Sequence, residues 1–163
     1  KNDHRPHKPF GQGAVAAAPM LTHLLLTNRS GHVLVSRHFD KSTPAEQLEW
    51  EGRVRVRTES QWASMRDEQE QIATFGDNCT VFSRMGPVIA FATGNGDVDE
   101  IMLVEVVRAV QGVLKLICKK GVSQASIFEF YHKIVVAMDT MVNQGNIELL
   151  DPVAITRASK LKF

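Results

Sequence analysis

Residues 21–39 read Leu-Thr-His-Leu-Leu-Leu-Thr, then Asn-Arg-Ser-Gly, then His-Val-Leu-Val-Ser-Arg-His-Phe, and no other stretch limits the fold as much. Two runs of strand-like composition flank a turn in which Gly31 can take positive φ and Asn28 can satisfy its own turn backbone, which predicts a β-hairpin. The first run is apolar on both faces, Leu21 and Leu25 on one and Leu24 and Leu26 on the other, as a strand covered on both sides requires. The second alternates Val33 and Val35 against Leu34 and Ser36 and ends in charge, which suits a more lateral strand. Such a hairpin needs further strands to complete its sheet and helices to cover it.

The rest of the chain supplies both. Lys41-Ser42-Thr43-Pro44-Ala45-Glu46 has the form of a helix start, and a helix to about residue 65 is expected. Gly52 is a candidate break in it, and Arg53-Val54-Arg55-Val56-Arg57 also alternates like a strand. Gln71–Phe75, Cys79–Arg84 and Val88–Thr93, separated by Gly-Asp-Asn and Met-Gly-Pro turns, predict a three-strand meander whose last and most apolar member lies beside the first strand of the chain. A helix over about 98–120 follows, with Asp97, Asp99 and Glu100 at its positive end, Lys119 and Lys120 at its negative end and Gly121 closing it. Glu105, Arg108, Gly112, Lys115 and Lys119 form its narrow polar stripe. Apolar residues cover more than half of the circumference, where a surface helix needs about 100°. That surplus must meet another helix or another protein. A further helix over about 124–143, ended by Gly145, can absorb part of it, and residues 152–163 read as a basic, weakly structured tail. The expected fold is α+β, a five-stranded antiparallel sheet with one helix on one face and two long helices on the other.

Composition narrows the function. A chain of 163 residues with 44% hydrophobic content builds one ordinary core without staples. A net charge of +1 gives no general attraction to nucleic acid. Cys79 and Cys118 sit in apolar company without a partner at disulfide or metal spacing, as core cysteines of a reducing compartment would. No run reaches the roughly 20 apolar residues that span a bilayer. Residues 1–19, with two histidines, three prolines and an alanine-rich patch, read as a flexible arm, linker or expression remnant, with the domain occupying 20–151.

Catalytic and cofactor patterns are missing. His23, His32, His38 and His132 are scattered without an acidic or cysteine partner at motif spacing, so no catalytic or metal role is assigned to them. Gly94-Asn95-Gly96 precedes a helix but lacks a third glycine and is followed by acids, which fits a turn and cap and not a phosphate site. Arg53, Arg55 and Arg57 read either as a solvated charged surface or as a partner or phosphoinositide contact. No enzyme, cofactor or small-molecule substrate is expected.

The order of these elements, with the hairpin in front, resembles the longin-like small subunits of vesicle coats, the sigma chains of clathrin adaptor complexes and the zeta chain of coatomer. The likeness runs over about 20–151. It includes Val81-Phe82 and Val88–Thr93 in the last two strands, Asp99-Glu100-Ile101-Met102-Leu103-Val104-Glu105 at the helix opening, and Phe128-Glu129-Phe130-Tyr131-His132-Lys133 with Gly145-Asn146-Ile147 at the close. It implies a non-enzymatic subunit docked in a large adaptin-like chain, within a heterotetrameric core that also holds a medium, mu-like chain. Such a core is cytoplasmic and sits peripherally on coated membranes, at the plasma membrane or at endosome and Golgi. The apolar surplus then assigns Met102, Val106, Val110, Val113, Leu114 and Ile117 to the partner interface. The resemblance also places Val122 and Ile127 at the positions of the family's dileucine-signal pocket, while the family's arginine on the second strand is here Leu34. That departure, and the Gly94-Asn95-Gly96-Asp97 turn, favour a divergent member of the plant TPLATE (TSET) type over a standard adaptor chain. The alternative is a longin or roadblock-like platform for a small GTPase, which shares the fold.

Overall fold

The computed structural model describes residues 20–160, so the expectation for 1–19 and the last three residues of the expected tail lie outside it. The hairpin forms as read, with β1 at Leu21–Asn28 and β2 at Val33–His38, and Gly31 turns at φ +85°. Its turn is tied by Asn28 Oδ1, which accepts from the backbone N–H groups of Ser30 and His32. The meander is β3 (Glu70–Phe75), β4 (Asn78–Met85) and β5 (Val88–Gly94). All five strands pair antiparallel in the order β2-β1-β5-β4-β3. The most buried strand, β5, is thus central beside β1, and β2 is an edge.

Face assignments change in both strands of the hairpin: beside the β1–β2 shift at Leu26/Thr27, Leu34, expected on the face opposite Val35, joins it in the larger core. Strict alternation puts Leu21 with Leu25, but the register shifts between Leu21 and His23. Leu21 therefore joins Leu24 and Leu26 in the larger core, and Leu25 packs in the smaller one. A slip of one residue is enough, because side chains in a strand alternate with period 2.

Helix α1 (Pro44–Trp62) covers the smaller core, bringing Val54 and Trp62 to the cluster that holds the strand residues Phe75, Phe82 and Phe91. Thr43 and Glu46 form a capping box and Pro44 stands in the first turn. Gly52 breaks nothing, and residues 53–57 are helix despite their alternation. Helical spacing brings Val54, Thr58 and Trp62 to the core face, where Trp62 Nε1 donates to Thr58 Oγ1 at 3.0 Å and Thr58 Oγ1 donates to the Val54 carbonyl at 2.7 Å.

The other face carries α2 (Glu100–Ile117), α3 (Gln124–Glu129), α4 (Tyr131–Met141) and α5 (Pro152–Lys160). Two corrections apply here. The expected helix over 124–143 is broken at Phe130 (φ −104°, ψ 22°), with Ile127 buried before the break and Ile134, Ala137, Met138 and Met141 after it. It ends at Met141, and Gly145 belongs to a small hairpin of β6 (Val142–Asn143) and β7 (Asn146–Ile147). The expected tail is helix α5 up to Lys160, opened by Asp151, whose side chain accepts from Val153 N–H. Its Ile155 is fully buried against α2 and α4, so the packed domain extends past 151.

Candidate partner interface

Helix α2 is capped by Asp99, whose carboxylate accepts from Ile101 N–H at 3.0 Å, and Cys118 closes it by donating to the Leu114 carbonyl at 2.8 Å. Leu103, Val106, Val107, Val110, Val113 and Leu114 are all buried, so the wide apolar arc is real. It is covered by the chain itself. The sheet lies under one side of it, and α4 and α5 take the rest. Of the six residues assigned to a partner from sequence, Val106, Val110, Val113 and Leu114 are therefore corrected to the domain's own core. Ile117 is half-buried, and Met102 keeps 37% of its surface.

The stripe expected to face solvent is also partly used. Arg108 donates to Glu70 at 2.6 Å and holds that carboxyl below its usual range, and Lys115 pairs with Glu68. Gly112 lies under Pro152 of α5, where a Cβ would come within 2.5 Å of the proline Cγ. What α2 still offers a partner is at its start. Ile101, which the sequence reading places in the helix opening but not in the interface, is 68% exposed beside Met102. Its signal was available, since it follows the capping aspartate on the polar side of the helix. Further exposed apolar side chains are Leu48 and Val56 on α1, Ile72 on edge strand β3, and Phe128 and Tyr131 at the α3–α4 break.

The fold also gathers residues that looked scattered. Cross-strand pairing sets His23 opposite His38, their rings stacked 3.9 Å apart and 15° from parallel. Glu51 of α1 reaches both. Ser36 Oγ donates to Glu51 Oε1 at 2.5 Å, His38 Nε2 lies 3.3 Å from the same oxygen, and His23 Nε2 lies 3.0 Å from Ser36 Oγ. Because Ser36 spends its proton on Glu51, His23 is the Nε2–H tautomer, and its buried Nδ1 keeps a lone pair with no partner among the described residues. Burial, and then the neighbouring His38, lower the His23 pKa from 6.5 to about 3. Glu51, 3.9 Å from His23 Nε2, pulls the other way but is already engaged by Ser36 and His38. Ligand atoms of His23, His38 and Glu51 lie within 4.8 Å of one another. The stacked rings, as they stand, cannot both hold one ion in plane, so the group acts as a hydrogen-bonded tie between α1 and the hairpin. Cys79 and Cys118 are free and buried, and burial pushes both thiols up.

No family model matches the chain. It is 28% identical over 144 residues to the TSET complex member tstD of Dictyostelium discoideum, a match spanning 88% of this chain and 94% of that one. Its fold matches a chain in a homology model of the full-length AP-3 complex in a stretched open conformation, with a TM-score of 0.59 and 12% identity over 88% of this chain and 93% of that one. The chain resembles the longin-like small subunits of vesicle coat adaptor complexes.

The two residues that the resemblance assigns to a dileucine-signal pocket do not line one common cavity among the described residues. Val122 lines a shallow cavity of about 370 Å³ with Met85, Gly86, Cys118, Lys115 and Lys119. Ile127 is fully buried in the main core and does not line it, and Leu34 is buried as well. The arginines of α1 do not converge either. Arg53 stacks over Trp50 at 5.4 Å and shares a flank with Arg57, while Arg55 turns to the other side and pairs with Glu59. On this longin-like scaffold the exposed start of α2 remains the candidate docking surface.

Proposed function

We propose that the chain is a non-enzymatic small subunit of a TSET-type heterotetrameric coat core, acting in vesicle transport or endocytosis. It stabilises a large adaptin-like subunit and sits in the same core as a medium, mu-like subunit, held peripherally on a coated membrane at the plasma membrane or at endosome and Golgi. The observation that carries this reading is the match to a TSET complex member over 88% of this chain and 94% of that one. The longin-like fold and the uncovered Ile101 and Met102 support it.

The test is coexpression with the large adaptin-like subunit of the same cell. The two chains are expected to purify together, and the double variant Ile101→Glu, Met102→Glu should cut recovery of the pair at least about ten-fold. An apolar anchor desolvated at an interface is worth roughly 1.4 kcal/mol or more, which is that factor. Because both side chains are exposed, the variant's own thermal midpoint should stay within about 2 °C of the parent. A chain that ignores the large subunit and instead binds a small GTPase would overturn the proposal.

A further inference from the structure

A cavity of about 190 Å³ lies where the end of α2, the start of α4 and the end of α5 meet. Lys119, Lys133 and Lys160 line it, one from each of these three places, with Leu116 and Ile117 as its apolar wall and the hydroxyl residues Thr156 and Ser159 beside them. No carboxylate lies within ion-pair distance of any of the three ammonium groups among the described residues, and Glu129 and Asp151, the acids of the adjoining segments, do not line the cavity. For a chain whose net charge is only +1, this is a concentrated positive site.

Helix electrostatics account for two of the lysines. Lys119 and Lys160 stand at the negative ends of α2 and α5, where a cation is favoured. Lys133 does not fit that account. It sits in the first turn of α4, at the positive end, on a helix with no acid in its first turn and no side-chain cap. A residue that departs from a local rule in this way is a candidate for a role in binding. Its ammonium is held over the Phe130 ring at 5.5 Å.

We propose that this cavity binds the phosphorylated headgroup of an anionic lipid. Three lysines lining one cavity suit a phosphomonoester, which accepts several charge-assisted hydrogen bonds from point-charge donors that swing on flexible stems. The exposed Lys120 and Arg157, next in sequence to Lys119 and Thr156, widen the positive rim in the manner of a polybasic membrane contact. Phosphopeptide recognition relies on arginine clusters that grip the phosphate bidentately, and the cationic lining of this cavity is lysine alone. This site goes beyond the coat-subunit reading, because it would bind without any other subunit.

The test is vesicle flotation of the purified full chain, compared with nuclear magnetic resonance titration by inorganic phosphate. Phosphatidylcholine vesicles containing a few per cent of a phosphoinositide should recruit the chain more strongly than phosphatidylserine vesicles of equal surface charge. Lys133→Gln should lower that recruitment about five-fold, the factor one basic residue contributes near an anionic surface. Lys115→Gln, which removes the same charge from a residue paired with Glu68 and outside this cavity, should leave it unchanged. Equal recruitment by the two vesicle types, an unaltered Lys133→Gln variant of parental thermal midpoint, or perturbation of the cavity amides by inorganic phosphate without any vesicle binding would each overturn the proposal. Failure to capture a large subunit would bear on the coat reading alone.

Discussion

The stacked histidines make stability fall with acid in a way that can be calculated. His23 titrates at about 3 in the folded chain, and its ordinary value is 6.5. Between those two values the unfolded chain binds more protons at this residue than the folded one, so stability rises with pH across the window and is lost as pH falls through it. From pH 7.5 to pH 5 the difference integrates to about 2 kcal/mol, a large share of the 5–15 kcal/mol typical of a domain. The cause is specific. Protonation would place an N–H on His23 Nδ1, a buried atom with no acceptor among the described residues, beside the His38 ring. Urea unfolding of the parent and of His23→Gln, which cannot titrate, isolates the contribution at each pH. The variant should be the less stable at pH 7.5, since it disturbs the link to Ser36, and the gap should close by about 2 kcal/mol on reaching pH 5. A gap that stays constant within about 0.5 kcal/mol over that range would refute the reasoning. So would a His23 ring resonance that titrates near pH 6.5.

Two further substitutions probe the packing that positions the helices. Gly112→Ala should gain about 1 kcal/mol of helix propensity yet lower the unfolding midpoint, because its Cβ meets the Pro152 ring and overpacking costs about 1–3 kcal/mol. In a Pro152→Ala background that loss should shrink or change sign, as read by thermal unfolding. Thr58→Val removes the acceptor of the buried Trp62 N–H and should cost about 1–3 kcal/mol in urea unfolding followed by tryptophan fluorescence, whereas a neutral result would mean that Trp62 finds another partner.

Local chemistry set much of the architecture. Asn28 with Gly31 at one turn, Gly76 and Gly86 at the others, and the Thr43–Glu46 and Asp99 caps act within a few residues, so strand order and the ends of α1 and α2 were legible in one dimension. The likeness to coat small subunits was legible too, because it rests on the succession of those local motifs. Tertiary structure decided what depended on partners distant in sequence. The shift at Leu21 is fixed by pairing with Gly94, and the break at Phe130 has no local signal, since Ile127, Ile134, Met138 and Met141 fall on one face at helical spacing. Helix α5 has too little apolar surface to be evident alone and exists because Ile155 finds a slot against α2 and α4. For the same reason the greasy arc of α2 was correctly seen and wrongly assigned to a partner. Periodicity tells how much of a helix must be covered, and only the packed chain tells what covers it. The meeting of His23, His38 and Glu51, and of three lysines from three helix ends, was likewise invisible in sequence, since charges and ring nitrogens act over a few ångströms of space however many residues separate them.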